Sequence, residues 1–248
     1  MESNEQILKG RIALVTGATR GIGEAIALGL ADAGAHVIAL GRTQGALENL
    51  DDRIFKATGE HATLVPLDLR EPEGLDVLGQ ALHDRFGKLD ILVAAAGALG
   101  PLTPVGHLDP KGWDQIVTVN LTANWRLIRA MDPLLRKSDA ARALFLTSGA
   151  ARRPRAFWGA YAATKAGLEA LVACYDDEME HTCVRAVSVD PGAMRTRMRA
   201  SAYPGEDPMT LPEPSEIAPM IVELARPDRV PESRLAIFRD WKAAQAAA

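Results

Sequence analysis

The chain has 248 residues and a formal net charge of −4, and 48% of its residues are hydrophobic while 24% are charged. This length and ordinary composition favour one large α/β domain, residues 1–248, over two small ones. The acidic balance excludes the broad basic surface that a nucleic-acid-binding protein or a protein of anionic membranes needs.

Neither disulfides nor a metal site is expected. Cys174 and Cys183 are too few for a disulfide framework, and neither their spacing nor that of the histidines matches a metal motif. The first residues contain acidic side chains and no apolar stretch, and no run of about 18 apolar residues occurs. We therefore expect no secretory signal and no membrane span, and a cytoplasmic location.

Short apolar runs alternate with longer amphipathic stretches along the chain. The apolar runs predict strands at 12–16, 36–40, 62–67, 89–95, 143–147, 184–189 and 234–238. The amphipathic stretches predict helices near 22–33, 43–57, 71–86, 111–136, 159–181 and 215–226. Continuous apolar strands indicate a sheet covered on both faces, and strand–helix alternation indicates parallel crossovers. We therefore expect a single-domain Rossmann fold, a doubly wound parallel sheet of about seven strands with its ligand site at the strands' carboxyl ends.

The first predicted strand leads into a glycine-rich loop, Thr16-Gly17-Ala18-Thr19-Arg20-Gly21-Ile22-Gly23, and then a helix. Glycine is needed where the backbone turns tightly, where it approaches a pyrophosphate and where helix meets sheet. The new helix offers unpaired N–H groups and the positive end of its dipole. The loop predicts a dinucleotide-phosphate site, and a tight turn without a ligand is the alternative.

The end of the second predicted strand indicates which cofactor is used. An acidic residue about 20 positions after the glycines would bind the ribose 2′-hydroxyl of NAD. The sequence there, Leu40-Gly41-Arg42-Thr43, has no carboxylate. Arg42 offers a fork of donors for a 2′-phosphate, and Arg20 could reach the same group. NADP(H) is therefore favoured over NAD(H), although Arg42 could instead be a solvated arginine at a helix start.

Tyr161 and Lys165 are four residues apart in a predicted helix and so share one face. A nearby ammonium is expected to lower the pKa of the tyrosine, whose ordinary value of about 10 suits neutral acid–base chemistry poorly. The preceding strand ends at Ser148, so its hydroxyl is expected at the carboxyl edge of the sheet, beside a substrate oxygen. A capping serine is the alternative for Ser148, but together the three residues predict general acid–base catalysis.

These motifs resemble those of the short-chain dehydrogenase/reductase family. They occur in the family's order and cover about residues 10 to 200. The matching pieces are TGATRGIG at 16–23, Asp68-Leu69, AAAG at 94–97, Asn120, Ser148, YAATK at 161–165, and Asp190-Pro191-Gly192 with Thr196. The resemblance implies an oxidoreductase that transfers a hydride between NADP(H) and a carbonyl or alcohol.

The resemblance also implies a role for each catalytic residue. Tyr161 would be the acid–base, Lys165 would lower its pKa and hold the nicotinamide ribose, and Ser148 would orient the carbonyl. Asn120 would kink its helix and hold a water in a proton relay to Lys165.

The cofactor contacts form a longer set. Asp68 would contact the adenine, and Thr196 would border the nicotinamide. Gly97 would allow the end of the fourth strand to approach the cofactor closely. The complete set of expected contacts is Gly17, Thr19, Arg20, Gly21, Ile22, Gly23, Arg42, Asp68, Leu69, Ala95, Gly97, Tyr161, Lys165, Pro191, Gly192 and Thr196.

Two segments depart from the family's pattern. Ala94 and Ala95 stand where the family usually has an asparagine that braces the central sheet and the adenine edge. Residues 237–241, IFRDW, replace a common glycine pair after the last strand. The first departure puts the brace in doubt rather than the chemistry, and the second predicts different C-terminal packing and subunit contacts.

The segments expected to border the substrate pocket are apolar but carry six arginines. The apolar residues are Leu99, Pro101, Leu102, Met194, Met198 and Tyr203, and the arginines are Arg152, Arg153, Arg155, Arg195, Arg197 and Arg199. One hypothesis is that some arginines select an anionic substrate, but solvated arginines and subunit ion pairs are favoured over it. The Pro-rich stretch 203–214 predicts a lid or binding loop, or else a surface excursion.

The leading interpretation is therefore an NADP-dependent carbonyl reductase or alcohol dehydrogenase acting on a small molecule. One alternative is a sensor or structural protein that binds the cofactor without turnover. The presence of all the acid–base residues argues against it. An epimerase or dehydratase using the same site is the other alternative. The resemblance implies a homodimer or homotetramer that pairs the helices near 111–136 and 159–181, with Trp113, Trp125 and Trp158 packing in the core or at that interface.

Overall fold

The computed structural model describes residues 6–71 and 73–247, so parts of the predicted domain 1–248, namely residues 1–5, 72 and 248, lie outside the described residues. The strands are β1 Ile12–Thr16, β2 His36–Gly41, β3 Thr63–Pro66, β4 Ile91–Ala94, β5 Ala141–Leu146, β6 Val184–Asp190 and β7 Leu235–Ile237. They form one sheet in the order β3-β2-β1-β4-β5-β6-β7. Every neighbouring pair in it is parallel. The predicted parallel sheet of seven strands is confirmed.

Helices connect these strands. They are α1 Gly21–Asp32, α2 Gln44–Thr58, α3 Gly74–Phe86, α4 Pro110–Val117, α5 Ala123–Leu135, α6 Gly159–Glu178, α7 Arg197–Ala202, α8 Ala218–Ala225 and α9 Phe238–Ala247. In the part of the chain that the structure describes, none of them is long and apolar enough to cross a membrane.

The sheet has a hydrophobic core on each face, because successive strand residues point to opposite sides. Val15 of β1 belongs to the core cluster that includes buried side chains of α1, α2 and α8. Leu14, its neighbour, belongs to the other cluster, with side chains of α3, α5 and α6. All residues of β4 and β5 are buried, which explains the continuous apolar runs 91–94 and 143–146. The exception in these strands is the buried Arg142 of β5.

The structure differs from the predicted elements in three places. The helix predicted at 111–136 is interrupted by a π-helical turn, Thr118–Thr122, that separates α4 from α5. The six-residue α7 was not predicted, because a single turn is too short to give a periodic pattern. The third place is α9, which follows β7 directly and was also not predicted.

The C-terminal departure IFRDW packs through α9. Phe238 is 4% exposed within the core, and the Trp241 Nε1 donates a hydrogen bond of 2.8 Å to Glu223 of α8. Aromatic packing on α8 therefore covers this end of the sheet, and the expectation that C-terminal packing and subunit contacts differ from the family's pattern stays a prediction.

The register of the sheet brings the carboxyl ends of its central strands together. Thr16 of β1 lies opposite Ala94 of β4, and Ala94 lies opposite Phe145 of β5. Leu146, the next residue, lies opposite Val189 of β6. The loops that follow these four strands carry most of the predicted site residues, so the sheet holds them along one edge.

Candidate active site

The glycine-rich loop after β1 is a tight turn that has no room for side chains at two of its positions. Gly17 has a φ of 65°, and a Cβ on it would lie 2.8 Å from the Cα of Ala96. A Cβ on Gly23 would lie 2.3 Å from the carbonyl oxygen of Gly17. Glycine is required at both positions, because these distances are too short for any side chain.

The N-terminus of α1 lacks a side-chain cap. Arg20 is its N-cap residue, and the Arg20 side chain makes no capping hydrogen bond. The N–H groups of Gly21, Ile22 and Gly23 in the first turn of this 12-residue helix therefore lack a capping acceptor. These N–H groups and the positive end of the helix dipole favour an anion at this point.

The expected adenine side of the site, at the end of β2, carries two arginines. Arg42 is exposed, and at the preceding residue, Gly41, a Cβ would lie 2.6 Å from the methyl group of Thr19 in the glycine loop. Arg70 donates to Oδ2 of Asp68 from Nε at 2.9 Å and from Nη2 at 2.6 Å. These bonds lower the pKa of Asp68, and the charge of Arg42 lowers it further. Asp68 is thus held as a carboxylate near both guanidinium groups.

Asn120 is fully buried in the π-helical turn and joins three segments. Its Oδ1 accepts a hydrogen bond of 2.8 Å from the N–H of Ala98, and its Nδ2 donates to the Ala98 carbonyl at 2.9 Å. Nδ2 also donates to Oγ1 of Thr164 on α6 at 3.2 Å. The helix deformation expected at Asn120 is present, and it takes the form of this π-helical turn.

Lys165 is buried on α6, with 4% of its surface exposed. Its Nζ donates a hydrogen bond of 2.7 Å to the carbonyl oxygen of Leu146 at the end of β5. An ammonium has three N–H donors. Counting only partners in residues 6–71 and 73–247, two donors of Lys165 remain for other acceptors. Burial lowers the pKa of Lys165 to about 8, and the charge of Glu169 opposes this shift.

Tyr161 is 8% exposed, and the centroid of its ring lies 5.9 Å from Nζ of Lys165. Burial raises the pKa of its phenol, hydrogen bonding with Ser148 lowers it, and the charge of Asp190 raises it. The expected lowering of the Tyr161 pKa is therefore wrong, because the largest effect on the phenol is the loss of hydration on burial, which raises the pKa.

Ser148 lies where the sequence placed it, directly after β5 and next to the phenol. Its Oγ also accepts a hydrogen bond of 3.2 Å from the N–H of Ala150, which caps the short turn Gly149–Ala151. The capping role and the position beside Tyr161 are compatible, since a hydroxyl oxygen has two acceptor lone pairs and one donor.

The other predicted cofactor contacts lie along the same edge. A Cβ on Gly97 would be 3.6 Å from Oδ1 of Asn120 and 3.7 Å from Nζ of Lys165. Thr196 caps α7, and its methyl group is 3.6 Å from the place of a Cβ on Gly21. The remaining members follow β3, β4 and β6 and are Leu69, Ala95, Pro191 and Gly192.

Ion pairs within the chain hold three of the six arginines near the pocket. The pairs are Arg152 with Glu169 and Asp190, Arg195 with Glu213 at 2.9 Å, and Arg199 with Glu206 at 2.6 Å. These pairs lie within the chain, so the expectation of ion pairs between subunits stays a prediction. Arg153, Arg155 and Arg197 are exposed, and selection of an anionic substrate by them stays a prediction.

The apolar cluster around Tyr161 contains some of the predicted residues, together with Trp158. The ring of Trp158 meets the ring of Tyr161 edge-on at 5.7 Å and that of Tyr203 at 5.8 Å. Leu99 and Met198 pack against the same cluster. Met194, which was predicted to line the pocket, is instead 2% exposed within the main core.

A hydrogen bond joins the ends of β1 and β4 beside Ala94 and Ala95, and its acceptor is Thr16, to which the sequence analysis gave no such role. Oγ1 of Thr16, at the end of β1, accepts a hydrogen bond of 3.2 Å from the N–H of Ala96. This bond braces the ends of β1 and β4 against each other without an amide side chain. A hydroxyl residue directly before the glycine loop is the signal that could have revealed it.

The arrangement fits a dinucleotide. The open N-terminus of α1 and the glycine turn would accept a pyrophosphate, and Gly97 leaves space beside the two remaining donors of Lys165 for ribose hydroxyls. No group of three or more histidine, cysteine, aspartate or glutamate side chains among the described residues is placed to hold a metal ion.

A family model described as short chain dehydrogenase matches residues 11–207. The chain belongs to this family. An uncharacterised oxidoreductase of Escherichia coli K12, YciK, is 38% identical over 229 residues, which are 92% of this chain and 90% of that protein. Membership of the short-chain dehydrogenase family, which the motifs predicted, is thereby confirmed.

Two solved structures of this family contain a cofactor. A short chain dehydrogenase of Shigella flexneri 2a in complex with NADP has a TM-score of 0.90 and 36% identity, covering 94% of this chain and 98% of that one. One of Escherichia coli CFT073 in complex with NADPH has a TM-score of 0.89 and 36% identity, covering 95% and 99%. Both similar proteins carry the phosphorylated form of the dinucleotide.

Proposed function

We propose that residues 1–248 form one catalytic domain that interconverts a carbonyl compound and an alcohol with NADP(H), and that Tyr161 is the acid–base. One observation carries the proposal. The buried ammonium of Lys165 and the buried phenol of Tyr161 lie 5.9 Å apart, measured from Nζ to the ring centroid, at the sheet edge that also holds the glycine turn. NADP(H), when bound, would supply or accept the hydride.

The cofactor would be held at the glycine loop and at the ends of β2 and β3. The first N–H groups of α1 would bind the pyrophosphate, and Arg42 with Arg20 would bind the 2′-phosphate. Asp68 would contact the adenine. The complexes of similar proteins with NADP and NADPH support the choice of the phosphorylated cofactor.

The chemistry would be a proton transfer at the oxygen of the substrate. The hydroxyls of Ser148 and Tyr161 would hold that oxygen, and Tyr161 would give it a proton during reduction or take one during oxidation. Lys165 would bind the ribose and favour the phenolate, while Asn120 would hold a water that relays protons to Lys165. Because burial raises the pKa of Tyr161, the phenol stays protonated, which suits carbonyl reduction.

Titration with NADPH and with NADH, followed by the fluorescence of bound cofactor, tests the cofactor assignment. We expect NADPH to bind at least about 10-fold more tightly than NADH, and Arg42→Ala to remove most of that preference, since a charge-assisted hydrogen bond contributes about 1.5–3 kcal/mol. Arg136→Ala, which removes the arginine that follows α5 and pairs with Asp132, should bind both cofactors like the wild type. Equal binding of NADH would contradict the assignment.

Turnover of NADPH with a panel of apolar ketones and aldehydes tests the reaction. Tyr161→Phe should lower kcat by about 10²–10⁴ and leave the Kd of NADPH unchanged, because the phenol acts on the substrate oxygen. Cofactor binding without turnover of any substrate would favour a sensor or structural role. Conversion of substrate without net consumption of NADPH would favour an epimerase or dehydratase. The cytoplasmic location and the absence of a nucleic-acid partner stay predictions.

A further inference from the structure

The side chain of Arg152, which follows the turn Gly149–Ala151, connects three elements beneath the active site. Its guanidinium pairs with Glu169 of α6 and with Asp190 at the end of β6. Glu169 also accepts a hydrogen bond of 2.7 Å from Oγ1 of Thr147, and Asp190 accepts one of 2.9 Å from the N–H of Gly192. Both carboxylates are therefore fixed in place, with Arg152 as their common partner.

Each of these carboxylates acts on one member of the acid–base pair. Glu169 lies one helical turn after Lys165 on α6 and raises the pKa of that ammonium. Asp190, on the neighbouring strand, raises the pKa of the Tyr161 phenol. Among the described residues, the charged groups that act on this pair are Glu169 from α6 and Asp190 from β6. Arg152, which follows the turn, pairs with both of them.

Arg152 reaches from a more exposed position to two carboxylates that lie deeper in the protein. The side chain of Asp190 is 7% exposed, that of Glu169 is 20% exposed and that of Arg152 is 30% exposed. Charges at such depth are less screened by salt than surface charges. A guanidinium can serve two carboxylates at once, because its donors form a planar fork.

We propose that Arg152 is a positioning residue that bridges Glu169 and Asp190 and offsets their charge beside Lys165 and Tyr161. The inference rests on the proposed function of Tyr161 as the acid–base. Arg152 is thereby committed to partners within the chain rather than to an anionic substrate. Without its guanidinium, Thr147 and Gly192 still hold the carboxylates, but their negative charge is no longer offset.

The pH profile of kcat/KM for Arg152→Ala tests this inference. We expect the midpoint of the limb that depends on Tyr161 to rise by about 0.5–1 pH unit, because uncompensated carboxylates disfavour the phenolate. Arg152→Lys, which keeps the charge but not the fork, should shift the midpoint less. The double variant Arg152→Ala/Asp190→Asn removes the carboxylate that raises the pKa of the Tyr161 phenol and should return the midpoint toward that of the wild type.

A matched control lies at the other end of α6. Arg234 also pairs with two carboxylates, Asp176 and Asp177, but these lie in the last turns of the helix. Arg234→Ala should therefore leave the midpoint in place. The inference is overturned if Arg152→Ala lowers activity without moving the midpoint, or if the double variant stays as far from the wild type as Arg152→Ala alone.

A second measurement separates this inference from the proposed reaction. The chain has three tyrosines, and tyrosinate formation can be followed by ultraviolet absorbance as the pH rises. Subtracting the titration curve of Tyr161→Phe from that of the protein with Tyr161 intact leaves the titration of the Tyr161 phenol. Its midpoint should rise in Arg152→Ala, and an unchanged midpoint overturns the inference even where no substrate is turned over. Thermal unfolding checks that each variant is folded, and Arg152→Gln serves if Arg152→Ala is not.

Discussion

Among the described residues, the buried ammonium of Lys165 makes one hydrogen bond, to the carbonyl oxygen of Leu146. Burial lowers the pKa of Lys165 from 10.5 to about 8. That difference corresponds to about 3 kcal/mol between the two protonation states. Folding therefore works against the charged form, which the proposed chemistry needs. This opposition is typical of functional sites, where stability is lost in favour of activity.

Lys165→Met should accordingly fold at least as stably as the wild type at neutral pH while losing activity. The folded pKa lies below the unfolded one, so the unfolded state binds more protons between about pH 8 and 10.5. The free energy of unfolding of the wild type should therefore rise with pH in that window, and the cost of the buried charge is fully present below it. We expect an advantage of about 1 kcal/mol for the variant near neutral pH, because loss of the bond to Leu146 offsets part of the gain.

Urea unfolding of both proteins at equal concentration, from about pH 7 to about pH 10, measures this difference. The advantage of Lys165→Met should shrink steadily above pH 8. The prediction is contradicted if the wild type is more stable than the variant near neutral pH and the difference in the free energy of unfolding stays constant up to about pH 10. Burial of the Lys165 ammonium would then not destabilise the fold.

At the scale of elements, the π-helical turn Thr118–Thr122 shows the limit of prediction from sequence. Apolar periodicity predicted one helix over 111–136, and the helices on both sides of the turn are where the pattern placed them. The interruption depends on Asn120 pairing with Ala98, a residue 22 positions away. Periodicity reports which face of an element is buried and carries no information on such contacts.

In the active site too, the sequence predicted local features but not contacts between distant residues. The glycine turn and the Tyr161–Lys165 spacing are local, so the sequence revealed them. The bond from Ala96 to Thr16 spans 80 positions, and the pair of Arg152 with Asp190 spans 38, so both emerged only with the fold. The direction of the Tyr161 pKa shift was wrong for a related reason, because the burial of a side chain follows from tertiary packing.

Asn120→Ala tests whether the π-helical turn is held by its side chain. The change leaves both the N–H and the carbonyl of Ala98 without their partner, and each buried group left unpaired costs about 1–3 kcal/mol. We expect the free energy of unfolding to fall by about 2–3 kcal/mol in urea, and the Ala98 amide to exchange its hydrogen faster.

Thr164→Val is the matched control, because it removes the third partner of Asn120 and leaves the pair with Ala98 intact. Its cost should be about 1 kcal/mol. If Asn120→Ala costs no more than Thr164→Val, other contacts hold the turn and the account of Asn120 as its clamp is wrong.

At the scale of the whole molecule, two large aromatic side chains remain exposed on neighbouring helices. Trp113 of α4 is 42% exposed and Trp125 of α5 is 45% exposed. Tryptophan is enriched at the cores of protein interfaces, and these helices belong to the segment that the family resemblance pairs between subunits. Because Asn120 lies between α4 and α5 and reaches α6, association through this surface would also stiffen the active site.

The double variant Trp113→Asp/Trp125→Asp should therefore dissociate a homodimer or homotetramer. An unpaired carboxylate inside an apolar contact is strongly unfavourable, whereas the same carboxylate on a free subunit is hydrated. Sedimentation velocity should give two or four times 26.6 kDa for the wild type and 26.6 kDa for the variant. Phe55→Asp, at a 47% exposed phenylalanine on α2, controls for the loss of an exposed aromatic elsewhere and should leave the mass unchanged. If the wild type sediments as a single chain, or if the double variant keeps the wild-type mass, these tryptophans do not form a subunit interface. If the double variant dissociates but keeps full turnover, each subunit maintains its active site without its neighbour.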